Sequence, residues 1–207
     1  MEKELILKMY SKTTIRQTIV IIKKLLYILG LLNVLSCSFL FREPGRPPKV
    51  NGVQISDNLR YIYIQNFQNE SYGQGLHTMV TQAVKQEVDR RGRFIQTREK
   101  SEARFKLYGR ITHYQKIGNL LDMGNQEISS EITVLVKIEL QETGGDRLQL
   151  ERDEIMVRAY FSNQIGYKES EEQAQARLMT NLSYRISEEI ENAWYFYIKN
   201  KYYKLNN

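Results

Sequence analysis

The chain has 207 residues, 42% of them hydrophobic and 26% charged, with a formal charge of +6. A single cysteine rules out a fold held together by internal disulfides. The basic excess lies before residue 37, and the 24 basic and 22 acidic residues that follow nearly balance, so composition gives no clustered basic surface of the kind a nucleic-acid binder needs.

In chain order, Lys23-Lys24 precedes an apolar run from Leu25 to Ser36. As a helix that run measures about 18 Å, against a hydrocarbon core of about 30 Å. Charge in front, an apolar middle and a small residue at the end are the parts of a secretory signal peptide, which sets residues 1–36 apart. Val34-Leu35-Ser36-Cys37 resembles the bacterial lipobox, whose cysteine takes a diacylglycerol before cleavage and acylation. Cys37 is therefore the candidate lipidation site. Several acyl chains hold firmly, because each buried methylene contributes about 0.8 kcal/mol. Two other readings stand beside it. An uncleaved anchor would draw on Ile19-Val20-Ile21-Ile22, although Lys23-Lys24 inside it is costly at mid-bilayer. A buried cysteine of a core helix is the other.

Residues 37–57 read as a lipidated N-terminus and tether. Pro44, Pro47 and Pro48 fall here with Gly45 and Gly52, a composition of loops rather than elements.

Residues 58–200 read as one domain, and 201–207 as a C-terminal tail. Arg60 to Phe67 alternates as a strand, with Ile62 and Ile64 on one side. Gly75 to Arg91 changes to helical period, with Leu76, Met79, Val80, Ala83, Val84 and Val88 on one face and Gly92 as its C-terminal cap. Ala103 to Lys116 alternates, Gly118 to Asn125 forms a turn, and Glu127 to Leu140 alternates again. Thr143-Gly144-Gly145-Asp146 is a hairpin turn. The strand expected over Arg147 to Phe161 slips phase near Arg152-Asp153, the mark of a bulge or break. Ser170-Glu171-Glu172-Gln173 is a capping box opening a long helix, with Leu178, Leu182, Ile186, Ile190 and Trp194 on one stripe. The expected fold is α+β: a two-layer sandwich of a four-stranded mixed sheet with both helices packed on one face.

No catalytic or metal constellation stands out. His77 and His113 are far apart, and neither has a carboxylate or cysteine at metal spacing. No nucleophile motif or phosphate-cradling loop is present, so the chain reads as a non-enzyme without a cofactor. A basic stripe does run along the sheet face opposite the expected core: Arg104, Lys106, Arg110 and Lys116, with Lys137 and Arg158 on neighbouring strands. Tyr108, Tyr114, Leu135, Met156 and Tyr160 alternate with these cations. Mixed basic and apolar surface suits an amphiphile carrying phosphates, and a solvated face of an antiparallel sheet gives the same pattern.

The order of these motifs resembles LptE, the lipopolysaccharide-assembly lipoprotein family, over roughly residues 37–195. The resemblance rests on the lipobox cysteine, on Ile62-Tyr63-Ile64-Gln65-Asn66-Phe67, on Ala103 to Ile111, on Glu131 to Leu140, and on Val157-Arg158-Ala159-Tyr160-Phe161-Ser162-Asn163. It implies a lipid-anchored protein of the outer membrane, on its periplasmic face. It implies two partners: an LptD-like outer-membrane β-barrel, which the protein plugs and supports, and lipopolysaccharide. Of two basic contact positions in the family, Lys168 matches the one before the last helix. The other falls in a turn that reads Leu121-Asp122-Met123-Gly124-Asn125 here. The contact has then moved to Lys116 or Arg110, or this member mainly supports the barrel. The candidate lipopolysaccharide contacts are therefore Arg110, Lys116, Lys137, Arg158 and Lys168. The opening strand, Asn-containing turn and helix also resemble activators of cell-wall synthases and curli-secretion lipoproteins, and a purely structural outer-membrane lipoprotein is a third reading.

Overall fold

The computed structural model describes residues 23–24, 48–121, 127–145, 147–162 and 169–203. The chain forms two compact units, residues 1–44 and 45–207. Lys23 and Lys24 are the described part of the first, helical and exposed. The apolar run, Cys37, Asp122–Asn125, Asp146, Asn163 and Lys168 lie outside the described residues.

The second unit opens with a hairpin. Strands β1 (Lys49–Val50) and β2 (Val53–Gln54) pair antiparallel across Asn51-Gly52. Both turn residues have positive φ, 50° and 80°, which a two-residue turn of matching twist requires and which Asn and Gly tolerate. The expectation of a tether without elements up to Asp57 therefore does not hold from Pro48 onward. Val50 and Ile55 are fully buried, and apolar burial of about 1.5–3 kcal/mol per side chain outweighs a loop-like composition.

A 3-10 turn (Asp57–Leu59) leads into β3 (Tyr61–Ile64) and then β4 (Gln68–Asn69). Helix α1 (Leu76–Arg91) follows and stops at Gly92, whose φ of 64° lets its N–H bond back to Val88 and Asp89. It buries Leu76, Val80, Val84 and Val88, one residue per turn, while Met79 is exposed. Strand β5 (Ile95–Gln96) returns parallel to β3.

Then come three antiparallel strands: β6 (Phe105–Leu121), β7 (Glu127–Glu142) and β8 (Glu154–Phe161). The sheet runs β5-β3-β6-β7-β8, with β4 also paired to β6. It is mixed as expected but six-stranded rather than four-stranded. The two extra strands have two residues each, too short to show a period. Gly118 to Leu121, expected as a turn, continues β6. The expected strand from Arg147 begins only at Glu154. Arg147 makes an isolated bridge to Gln141, and the chain breaks where the phase slips.

Helix α2 (Glu171–Tyr202) carries both halves of the capping box, Ser170 with Gln173. It buries Ala174, Leu178, Leu182, Ile186, Ile190, Trp194 and Ile198. Lys201 and Tyr202, expected in a tail, complete its last turn. The core lies between the helices and one sheet face, where Phe105, Leu107, Ile111, Ile132, Val134, Val136, Ile155 and Val157 are buried. At its end the Trp194 indole donates to the Leu59 carbonyl at 2.8 Å and packs on Phe94.

Candidate functional site

The sheet face away from the helices is the candidate surface. Residues directly opposite in an antiparallel ladder share a face. Ile111 pairs with Val136, yet His113 pairs with Leu135, so Thr112 is an extra residue and β6 carries a bulge there. Before the bulge the outer residues are Lys106, Tyr108 and Arg110. After it they are His113, Gln115 and Ile117. The rows across the sheet read Arg110–Lys137–Glu154, His113–Leu135–Met156 and Gln115–Thr133–Arg158.

This phase change corrects the expected stripe. Lys116 lies opposite Ile132, a buried core residue, and so belongs to the helix side of the sheet. Its ammonium donates to Glu171 at 2.6 Å, in the first turn of α2, and sits 5.1 Å from the centre of the Phe161 ring. Arg104 also leaves the stripe: its guanidinium is 2.7 Å from Glu142 and bonds Tyr202.

Arg110, Lys137 and Arg158 do come together on the outer face, each beside a carboxylate. The pairs are Arg110–Glu70 at 3.4 Å, Lys137–Glu154 at 2.6 Å and Arg158–Glu131 at 3.4 Å. The Glu154 hydrogen bond raises the Lys137 pKa, against the charge of Arg110 opposite. Met156, Tyr160 and Ile117 are exposed on the same face, and the Arg158 guanidinium reaches the Met156 sulfur at 3.6 Å. A shallow cleft of about 210 Å³ lies at Tyr108, Arg110, Lys137, Glu139, Arg147 and Asp153. The surface is thus a charge-balanced, partly apolar plane. It can exchange one anion for another and offers apolar ground beside the charges.

A second cluster was not read from the sequence. Glu142, 4% exposed, ends the inward series of β7 and accepts bonds from Lys201, Tyr197 and Tyr202 beside Arg104. Burial opposes its ionisation. The bonds from Lys201, Tyr197 and Tyr202 and the Arg104 charge win, and its pKa falls to about 2. The signal was a carboxylate in the same parity as Ile132, Val134, Val136, Ile138 and Leu140. Its partners come from the end of α2 and from Arg104, just before β6, which only the fold brings together. Among the described residues no group of three His, Cys, Asp or Glu could hold a metal ion, and no helix is long and apolar enough to cross a membrane.

One family profile matches residues 59–190: LptE, lipopolysaccharide-assembly. The chain belongs to the LptE family. The matched stretch runs from the 3-10 turn through β8 and into α2, and holds Arg110, Lys116, Lys137, Arg158 and Lys168. Cys37 lies before it. LptE proteins are non-enzymatic lipoproteins of lipopolysaccharide assembly. No curated protein matches the chain. Solved structures with a similar course include uncharacterized lipoprotein B from Nitrosomonas europaea, 12% identical, covering 74% of this chain and 96% of its own, TM-score 0.45. A minor lipoprotein from Acinetobacter baumannii is 11% identical, covering 65% and 94%, TM-score 0.44. Protein XCC0632 from Xanthomonas campestris is 8% identical, covering 64% and 85%, TM-score 0.45. At these values the likeness carries no argument about function.

Proposed function

We propose that this LptE-family chain is an outer-membrane lipoprotein that plugs and supports an LptD-type β-barrel and assists lipopolysaccharide assembly at the cell surface. Its anchor is acylated Cys37 and its domain lies on the periplasmic side. The observation that carries this reading is the family match over residues 59–190, which spans most of the folded domain. Arg110, Lys137 and Arg158, with Lys168, are the contacts for the phosphates of lipopolysaccharide, and Met156 and Tyr160 lie beside them for its apolar part. Exposed ion pairs contribute about 0–1 kcal/mol, so a phosphate displaces Glu70 or Glu154 at little cost. Lys116 is set aside, because it is held at the start of α2.

The test is purification of the full chain from detergent-solubilised outer membranes. A much larger β-barrel protein in stoichiometric amount is expected. A cell-wall synthase in its place, or the chain alone, overturns the barrel reading. Cys37→Ala should abolish labelling by a radioactive fatty acid and leave unprocessed precursor, and unchanged labelling overturns the anchor.

The pairing of Arg110, Lys137 and Arg158 with carboxylates favours a second reading, in which this face is a solvated surface and the chain acts only by supporting the barrel. The two differ in whether the purified full chain retains lipopolysaccharide.

A further inference from the structure

The sheet ends in two unlike edges. One is β5, with two residues; the other is β8, with eight. The Ile138 N–H donates to the Asp153 carbonyl at 2.8 Å, so odd-numbered residues here turn their backbone toward β7. Alternation then points the N–H and C=O groups of Met156, Arg158 and Tyr160 to the open edge. A row of such groups is a template for another strand.

Helix α2 returns along this edge. The Arg185 Nη1 donates to the Met156 carbonyl at 3.2 Å, and the Arg177 Nη2 donates to the Tyr160 carbonyl at 3.0 Å. The spacing is matched. Eight helical residues rise about 12 Å, and four strand residues about 13 Å. Arg177 is held in place by Glu169, at 2.8 and 2.6 Å. The Glu169 carbonyl takes the next edge N–H, that of Ser162, at 3.3 Å. Two of the three edge carbonyls from Met156 to Tyr160 are therefore occupied by side chains of the chain itself.

We propose that Arg177 and Arg185 guard the β8 edge against strand pairing with a second copy of this chain. A second copy is the occupant because antiparallel β8–β8 pairing about a two-fold axis is self-complementary and extends both faces of the sheet. Centred on Arg158, such a pair sets Met156 against Tyr160 of the other copy, so the guarded carbonyls are the ones it needs. It also sets the two Arg158 side chains across the axis from each other, and like charges in that position oppose pairing.

The experiment is sedimentation of the full chain in density-matched detergent over a hundredfold range of concentration. The parent is expected to stay monomeric. The double variant Arg177→Ala/Arg185→Ala should dimerise, with slowed hydrogen exchange at the Arg158 amide. Adding Arg158→Pro, which removes an edge N–H and no ladder bond, should restore the monomer. A parent already paired through β8, a double variant that stays monomeric with native circular dichroism, or a dimer untouched by the proline overturns the proposal. If the double variant loses native circular dichroism, Arg185→Ala alone keeps the Arg177–Glu169 pair and carries the test with the same readout.

Discussion

The Lys201 ammonium lies 2.7 Å from the carboxylate of Glu142, joining the last turn of α2 to the inward end of β7 across 59 residues of sequence. This contact gives the domain a defined acid response. The Glu142 pKa in the fold is about 2, against an ordinary value of 4.5. A depressed carboxylate contributes its full stability above the ordinary value and loses it as pH falls through the folded one. The expected loss runs from about pH 4.5 down to about pH 2. Both cations are about two-fifths exposed, so they can turn to water once the carboxylate is gone. Glu142→Gln should thus cost about 2 kcal/mol near neutrality, less than for a fully buried pair. Urea unfolding at a series of pH values checks this: the gap between parent and variant should close toward pH 2.

Gly109 is held by a close approach rather than by its backbone angles. A Cβ there would stand 2.1 Å from the Phe67 ring, which lies buried across it. Phe67 is itself pinned, its N–H bonding the Thr81 hydroxyl at 2.9 Å. Gly109→Ala should therefore cost about 3 kcal/mol, the upper range for overpacking. Phe67→Leu in the same chain should recover part of that loss, read as the shift in urea midpoint.

These two sites show what was legible in the sequence and what was not. Periodicity located β3, α1, β7 and α2, because each buries one face over several turns or pleats. The capping box and Gly92 marked helix ends by chemistry that is local. Asn51-Gly52 was equally local and is a strong hairpin signal, but the surrounding prolines and glycines masked it. The bulge at Thr112 carries no residue signature, since it is a mismatch between β6 and β7 that neither strand shows alone. Reading straight through it put Lys116 on the wrong face. The same limit hid the Glu142 cluster, whose members are apart in sequence and meet only when the helix lies on the sheet.

On the outer face, Arg110→Glu, Lys137→Glu and Arg158→Glu together should weaken binding of purified lipopolysaccharide about tenfold by isothermal titration. Stability should fall by about 1 kcal/mol or less at each position, because the Arg110, Lys137 and Arg158 side chains are all about half exposed. Lys116→Ala should leave that binding unchanged. An equal effect of Lys116→Ala would return the contact to the helix side of the sheet.

Trp194 is fully buried, and its indole is the donor to the Leu59 carbonyl. Trp194→Phe removes that donor and leaves part of the ring volume empty. A loss of about 2–3 kcal/mol is expected from an unpaired carbonyl and a small cavity, measured by chemical denaturation.

The hairpin at the start of the folded unit has a mechanical consequence. Its Asn51 side chain donates to the Tyr203 carbonyl at 3.3 Å, and its Val50 and Ile55 are in the core. Tension entering at Pro48 therefore meets this hairpin first and passes to the far end of α2, a helix of 32 residues rooted along the whole domain. The hairpin is expected to take such a load before β3 does, because it precedes β3 in the chain and its Val50 and Ile55 must leave the core first.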